Sequence, residues 1–285
     1  MKLSHKNKIW FPQTKITKEN ITLYYQKIAP YFLKYCKNHL MVLLRYPNGI
    51  DQDFFYQKQI PQYFPAYIKR KTINLKKGEK QTLVVIANQK SLLYLVNQAT
   101  ITFHSWLSNT KNVNNPDKIV FDFDPSTNDL KQLRFAVTEM KKIIENYNLV
   151  PFLMTTGSKG YHIVIPIKPE YNFDIIHKFT KKLALELVNK YPKIITKNLK
   201  IKERNDKIFI DYLRNSYGQT SVAAYSVRAI EKAPIATPIE WKELNKIKPQ
   251  QITINTVFKR LKIKGDVWKD FEKNRKKIDG NLLKF

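Results

Sequence analysis

The run Ile119-Val-Phe-Asp-Phe-Asp-Pro125 constrains this chain more than any other segment. Its apolar and β-branched residues read as a strand, interrupted by Asp122 and Asp124. Residues i and i+2 of a strand share a face, so the two carboxylates project side by side. Adjacent carboxylates repel and cost stability unless a cation lies between them. The chain has 51 Lys and Arg against 23 Asp and Glu, a formal net charge of +28. A chain so poor in acids has little reason to cluster two of them unless they hold a metal. Taken alone, the pair also admits a plainer reading, a solvated strand end before Pro125.

The same charge concentrates polyanions, and nucleic acid is the leading partner class. A bias toward lysine can inflate Lys over Arg but does not explain the scarcity of acids. No segment forms a clear basic amphipathic helix, and no apolar run is long enough to span a bilayer, so a membrane partner is not expected. The start, Met-Lys-Leu-Ser-His-Lys-Asn-Lys, lacks the apolar core of a signal peptide. Cys36 is the sole cysteine, which excludes an intramolecular disulfide and any cysteine-rich metal site. The expected location is cytoplasmic and nucleoid-associated. With 285 residues, 43% of them apolar, the chain can bury a large core.

Periodicity predicts a helix over Thr17 to Lys37, capped by Thr17, then a strand from Met41 to Tyr46 and a Pro47-Asn48-Gly49 turn. Gln81 to Ala87 reads as a strand, Ser91 to Val96 as strand or helix, and Ala99 to Trp106 as extended. The polar stretch Ser108 to Asp117 is the best internal boundary. Strands follow over Lys118 to Phe123, Pro151 to Thr155, Tyr161 to Ile167, Ile208 to Asp211 and Ser221 to Tyr225, with helices over Asp129 to Tyr147 and Asn172 to Lys190. Mixed strands and helices without a strict βαβ rhythm point to an α/β or mixed α+β fold. The Lys-rich tail from Trp268 is expected to be partly mobile.

Two further constellations carry chemistry. Thr155-Thr-Gly-Ser-Lys-Gly-Tyr-His162 places Gly157 and Gly160 where backbone N–H groups can approach an anion. Thr156 and Ser158 add hydroxyls, Lys159 adds charge, and His162 lies near the turn. The spacing is not that of a Walker A loop, and an ordinary Gly-rich hairpin would look similar. Ile208-Phe-Ile-Asp211 again ends an apolar strand in an acid, and Arg214 and Arg228 follow. A lone strand-end Asp is commonly a turn residue. Together, three carboxylates can bind two divalent cations, and a cationic loop can bind a triphosphate. That combination is the chemistry of nucleotidyl transfer.

The order of these pieces resembles the polymerase domain of bacterial DNA ligase D, within the archaeo-eukaryotic primase superfamily. Phe-Asp-Phe-Asp-Pro is similar to that family's first motif and Thr-Gly-Ser-Lys-Gly-Tyr-His to its second. Ile-Asp-Tyr-Leu-Arg-Asn, continuing to Tyr-Ser-Val-Arg228, is similar to the third. Leu44-Arg-Tyr-Pro-Asn-Gly-Ile50, Phe54-Phe-Tyr-Gln-Lys58 and Pro238-Ile-Glu-Trp241 also fit, and the resemblance spans about Lys8 to Leu261. It implies a primase-type fold, with a catalytic RRM-like sheet flanked by helices and an N-terminal α/β module. The expected organisation is one primase-polymerase domain over 1–285: an N-terminal module to about 110, a catalytic module over about 116–262, and a Lys-rich tail over 263–285.

By the resemblance, Asp122, Asp124 and Asp211 hold two divalent cations, Mn²⁺ or Mg²⁺. Thr156, Gly157, Ser158, Lys159 and Arg228 grip the triphosphate, with His162 and Arg214 beside it and His104 near the ribose. Lys8 and Lys18 fall where the family binds the 5′-phosphate of a break. Arg45, Phe54, Phe55 and Lys58 contact DNA. The family usually has Ser-Gly-Gly-Lys-Gly where this chain has Thr-Gly-Ser-Lys-Gly, and His5 stands in place of a phosphate-binding Asn.

The implied function is template-dependent extension of 3′ ends at gaps or double-strand breaks in non-homologous end joining, by a stand-alone polymerase preferring ribonucleotides. The implied partners are DNA ends with a 5′-phosphate, template-primer or gapped DNA, nucleoside triphosphates, a separate ATP-dependent DNA ligase and a Ku-type end-binding protein. Two alternatives differ in class: a primase-polymerase of replication or mobile elements, which starts chains without a primer, and a non-catalytic DNA-end-binding protein.

Overall fold

The computed structural model describes residues 3–75, 78–127 and 129–283. The chain divides into two compact units. The first comprises residues 1–110, 220–237 and 252–266; the second comprises 111–219, 238–251 and 267–285. The mixed α/β character expected from the sequence is borne out in both.

In the first unit, strands β1 (Ile9–Phe11) and β2 (Ile16–Thr17) form a small ribbon that leads into helix α1 (Lys18–Cys36). Thr17 caps α1 as predicted: its side chain accepts from Asn20 N, and the Asn20 side chain answers to the Thr17 backbone. Pro30 lies inside this helix and removes one N–H. The Gln26 carbonyl that it would have bonded instead accepts from Gln89 Nε2 at 2.7 Å. Then follow β3 (His39–Arg45), β4 (Phe55–Gln57), β5 (Arg70–Asn74), β6 (Lys80–Val85), helix α2 (Gln89–Asn97) and β7 (Thr100–Asn109). The Ser91 to Val96 segment is helical, with Asn88 as its cap. A core trio of Tyr25, Phe32 and Phe103 packs edge-to-face at 5.2–5.9 Å between centroids.

The second unit carries the acids. It begins with β8 (Lys118–Asp124) and helix α3 (Leu130–Asn146), then β9 (Phe152–Thr155), β10 (Tyr161–Pro166) and helix α4 (Phe173–Lys190). β11 (Ile195–Thr196) and β12 (Ile208–Asp211) follow. The sheet order is β11-β12-β8-β10-β9, with β14 (Pro238–Ile239) added at the β9 edge after β13 (Thr220–Val222) has joined β7 in the first unit. The sequence β8-α3-β9-β10-α4-β12 is thus laid out as β12-β8-β10-β9, the split βαβ arrangement of ferredoxin-like and RRM-like sheets. Alternation sets its two faces. Ile119, Phe121, Phe123, Tyr161, Ile163, Ile165, Ile208 and Ile210 share one face and are wholly buried. Asp122, Asp124, His162 and Asp211 take the other. A last helix, α5 (Val257–Lys264), belongs to the first unit.

Two expectations need correction. The Ser221 to Tyr225 strand stops at Val222, because the chain turns and Tyr225 takes φ 65°. The tail is not loose over its described part. Trp268, Phe271 and Ile278 are buried, Trp268 Nε1 donates to the Leu153 carbonyl at 3.1 Å, and Arg275 donates to the carbonyls of Ile167 and Asp117. Three large apolar side chains set among the lysines anchor a segment whose composition alone reads as solvated.

Candidate active site

Asp122 is the centre of a cross-strand row. It lies directly opposite Asp211 on β12 and His162 on β10. Opposed residues in antiparallel strands hold their Cβ atoms about 5 Å apart, so the three side chains meet above one face of the sheet. Asp124 is on the same face two residues along and opposite Phe209. His162 Nε2 is 3.1 Å from Asp122 Oδ1. Arg214, in the helical turn Leu213–Asn215, places Nε 3.1 Å from Asp211 Oδ2 and Nη2 3.7 Å from Asp122 Oδ2. Leu213 N donates to Asp211 Oδ1 at 2.9 Å.

The electrostatics follow from burial first and crowding second. Burial and then the Asp122 charge push the Asp124 carboxyl up to about 6. Burial also raises Asp211; Arg214 pulls it back and Asp122 adds repulsion. Asp122 and Asp211 are almost fully buried. Among the described residues, no group of three or more His, Cys, Asp or Glu side chains is arranged as a ready-made metal cage. The donors nevertheless fit a hard divalent cation: all three are carboxylate oxygens, they share one face, and burial together with the Asp122 charge makes ionised Asp124 costly without a positive charge nearby. Arg214 supplies part of that charge to Asp122 and Asp211.

The β9–β10 turn forms the edge of this row. A Cβ on Gly160 would stand 1.9 Å from the Phe123 carbonyl oxygen, so the loop lies flush against β8 only because residue 160 has no side chain. Gly157 takes φ 66°. Thr156 Oγ1 donates to the Gly160 carbonyl at 3.0 Å and accepts from Ser158 N and Gly160 N at 3.1 and 3.2 Å. Its hydroxyl therefore shapes the loop from inside. Lys159 is exposed and Ser158 half-buried. Beside them opens a cleft of about 340 Å³, lined also by Thr127, Leu130, Lys248 and Gln250. Lys248 was not singled out in the sequence; it stands some ninety positions from Lys159 and only the fold shows it there.

The other expected residues belong to the first unit. His104 lies on β7, paired with Val42 and Val222. Arg228 is half-buried, its N–H donating to the Pro234 carbonyl at 2.8 Å. Lys8 Nζ donates to Asn48 Oδ1 at 2.7 Å, and Lys18 Nζ donates to Ser4 Oγ at 2.9 Å and the Asn97 carbonyl at 2.7 Å. Burial and then the Lys8 charge lower Lys18 to about 8, which brings the two lysines into one electrostatic cluster. Phe54 and Phe55 are 48% and 45% exposed, so neither is a core residue. Arg45 lies 5.1 Å over the Phe55 ring, and Lys58 is exposed.

An acid row on a split βαβ sheet, a Gly-Lys loop at its edge and a strongly basic chain define a nucleotidyltransferase of primase-polymerase type. The chain belongs to the LigD primase-polymerase domain family, whose model matches residues 17–268. It is 31% identical over 271 residues to the Bacillus subtilis bifunctional non-homologous end joining protein LigD, covering 94% of this chain and 43% of that protein. It is 28% identical over 286 residues to the Pseudomonas aeruginosa multifunctional non-homologous end joining protein LigD, covering 99% of this chain and 34% of that protein. The chain thus spans less than half the length of these curated relatives. The polymerase domain of Mycobacterium tuberculosis ligase D, solved in complex with DNA, superposes with a TM-score of 0.89 at 25% identity, covering 96% of this chain and 99% of that one. The family implies divalent-metal chemistry in general. Among the described residues, no helix is long and apolar enough to cross a membrane.

Proposed function

We propose that this chain is a template-dependent polymerase that extends 3′ ends at gaps or double-strand breaks in non-homologous end joining, with a preference for ribonucleotides. The observation that carries this reading is the Asp211–Asp122–His162 row, with Asp124 on the same face and the Lys159 loop flush against its strand. A nuclease would account for the acids but not for the cationic cleft beside them.

In the proposed reaction the primer 3′-hydroxyl attacks the α-phosphate, a new phosphodiester bond forms and pyrophosphate leaves. Asp122, Asp124 and Asp211 would hold two divalent cations, Mn²⁺ or Mg²⁺, which would lower the pKa of the attacking hydroxyl and neutralise the triphosphate. Ser158 and Lys159, with Lys248 across the cleft, receive the phosphates, and Thr156 keeps their loop closed. His162 holds the Asp122 carboxylate in place through the 3.1 Å contact. Arg214 and Arg228 add charge toward the nucleotide, and His104 reads the ribose. Lys8 and Lys18 take the 5′-phosphate of the break, while Arg45, Phe54, Phe55 and Lys58 hold the template. An ATP-dependent DNA ligase activity and a Ku-type end-binding protein would complete the joining reaction.

The test is extension of gapped DNA with and without a 5′-phosphate, with Mn²⁺ or Mg²⁺, and with ribo- or deoxynucleotides. Extension that requires the metal and rises with the 5′-phosphate is expected. No extension under any condition sinks the polymerase reading; indifference to the 5′-phosphate sinks the break-repair assignment alone. Asp122→Ala and Asp124→Ala abolish extension and leave DNA binding intact.

A further inference from the structure

Five of the six exposed aromatic side chains among the described residues fall between positions 54 and 67. Isolated exposed aromatics are ordinary on a protein surface, but a cluster is not. Residues 54–78 also contain six Lys and Arg and no Asp or Glu. Phe54 and Phe55 already have a place in the reading above. Tyr63 and Tyr67, 62% and 41% exposed, do not.

The geometry joins them to the template-binding residues. Arg45, whose guanidinium lies over Phe55, also donates from Nη1 to the Tyr63 hydroxyl at 3.1 Å. Tyr63 and Tyr94 each pack edge-to-face on Phe64, and Tyr67 packs edge-to-face on Tyr94 at 5.9 Å. Lys90 then stands 4.4 Å over the Tyr67 ring. The face therefore alternates rings and cations, from Phe55 through Arg45 to Tyr63, and from Tyr67 to Lys90. Edge-to-face packing beneath fixes the rings without covering them.

We propose that this face is a track for single-stranded DNA continuous with the duplex end, an assignment that rests on the polymerase reading and extends its template contacts past Phe55. Unpaired bases stack on exposed rings while neighbouring cations take their phosphates. A duplex hides its base faces, so exposed rings select unpaired strands. The absence of acids over the segment fits a polyanion and not a basic peptide.

The experiment measures fluorescence anisotropy of the full chain on a 5′-phosphorylated duplex, blunt or carrying a 3′ oligothymidine tail of about two or about ten nucleotides, at fixed salt. The longer tail is expected to tighten binding about twenty-fivefold or more, since each of the two rings contributes about fivefold or more. Tyr63→Leu with Tyr67→Leu, which keeps apolar bulk without a ring, loses that gain. Tyr63→Phe with Tyr67→Phe keeps it. Lys90→Gln, an exposed change harmless to folding, loses part of it and decides the matter if the leucine pair does not fold. Blunt-end affinity and single-nucleotide gap extension stay at wild-type level in all three. A wild-type protein indifferent to tail length overturns the track, as does a gain that survives the leucine pair or is undiminished in Lys90→Gln. Failure of the polymerase reading is separate: the wild type then extends no gap yet still gains affinity from the tail.

Discussion

Gly160 lies so close to Phe123 that a Cβ there would meet the Phe123 carbonyl oxygen at 1.9 Å and Asp124 Oδ1 at 3.4 Å. The contact sets how near the Lys159 loop comes to the acid strand. Gly160→Ala must therefore push the loop away from β8. The expected cost is about 1–3 kcal/mol of stability, the usual range for overpacking. The effect on extension is larger, about a hundredfold, because a displacement near 1 Å spoils the alignment of reacting groups. Thermal unfolding and gap extension read the two effects separately; a near-wild-type rate would show that loop position does not matter.

Asn215 continues the sheet where β12 ends. Its Oδ1 accepts from Val120 N at 2.8 Å, and its Nδ2 donates to the carbonyls of Val120 and Tyr212 at 2.7 and 2.9 Å. The side chain is fully buried and acts as one more strand residue beside β8, two positions before Asp122. Asn215→Leu leaves buried backbone groups unpaired at roughly 1–3 kcal/mol each, so a loss of about 3 kcal/mol is expected in urea unfolding. Folded enzyme should also extend more slowly, because Arg214 and Asp211 hang from the same turn. Full activity per folded molecule would refute the second half.

Lys18 titrates within the working range. Its ammonium is held down to about 8 from an ordinary 10.5, by burial and then by Lys8. It is mainly charged at neutral pH and mainly neutral a unit above its pKa, and only the charged form attracts a phosphate. The preference for 5′-phosphorylated over 5′-hydroxyl DNA should therefore fall as pH rises from about 7 to about 9. Lys18→Arg, which stays charged, should flatten the profile. A wild-type preference constant over that range would exclude Lys18 as a phosphate ligand.

The elements themselves were largely legible, because their signals are local. Asn172 before an amphipathic run marks the start of α4, and Ile208–Asp211 is bounded by its own apolar pattern. What sequence could not give was pairing. The opposition of Asp211, Asp122 and His162 depends on register between strands that are not neighbours in the chain. The edge strand β5 buries only Ile73 of its five residues and so offers no alternation to read. Segments 220–237 and 252–266 group with the first unit through non-local contacts that leave no mark in composition. The Thr156 hydroxyl looked free to meet a ligand, and its engagement by Gly160, four residues on, follows from loop closure.

The Asp124 carboxyl should make the metal-free protein pH-sensitive. Its folded pKa, about 6 against an ordinary 3.8, means that the native state binds the proton more tightly than the unfolded chain does. The stability this contributes is complete below about pH 4 and is lost as pH rises through 6, so at neutral pH the ionised group weakens the fold. A shift of this size corresponds to roughly 2–3 kcal/mol. Asp124→Asn should therefore unfold at higher temperature than wild type in chelator near pH 7.5, with the difference shrinking toward pH 4. Mn²⁺ binds only the native arrangement of carboxylates and should raise the wild-type midpoint with concentration. The Asn variant, lacking one donor, should respond much less. If Asp124→Asn is no more stable than wild type in chelator at neutral pH, burial of the Asp124 carboxylate beside Asp122 does not strain this sheet.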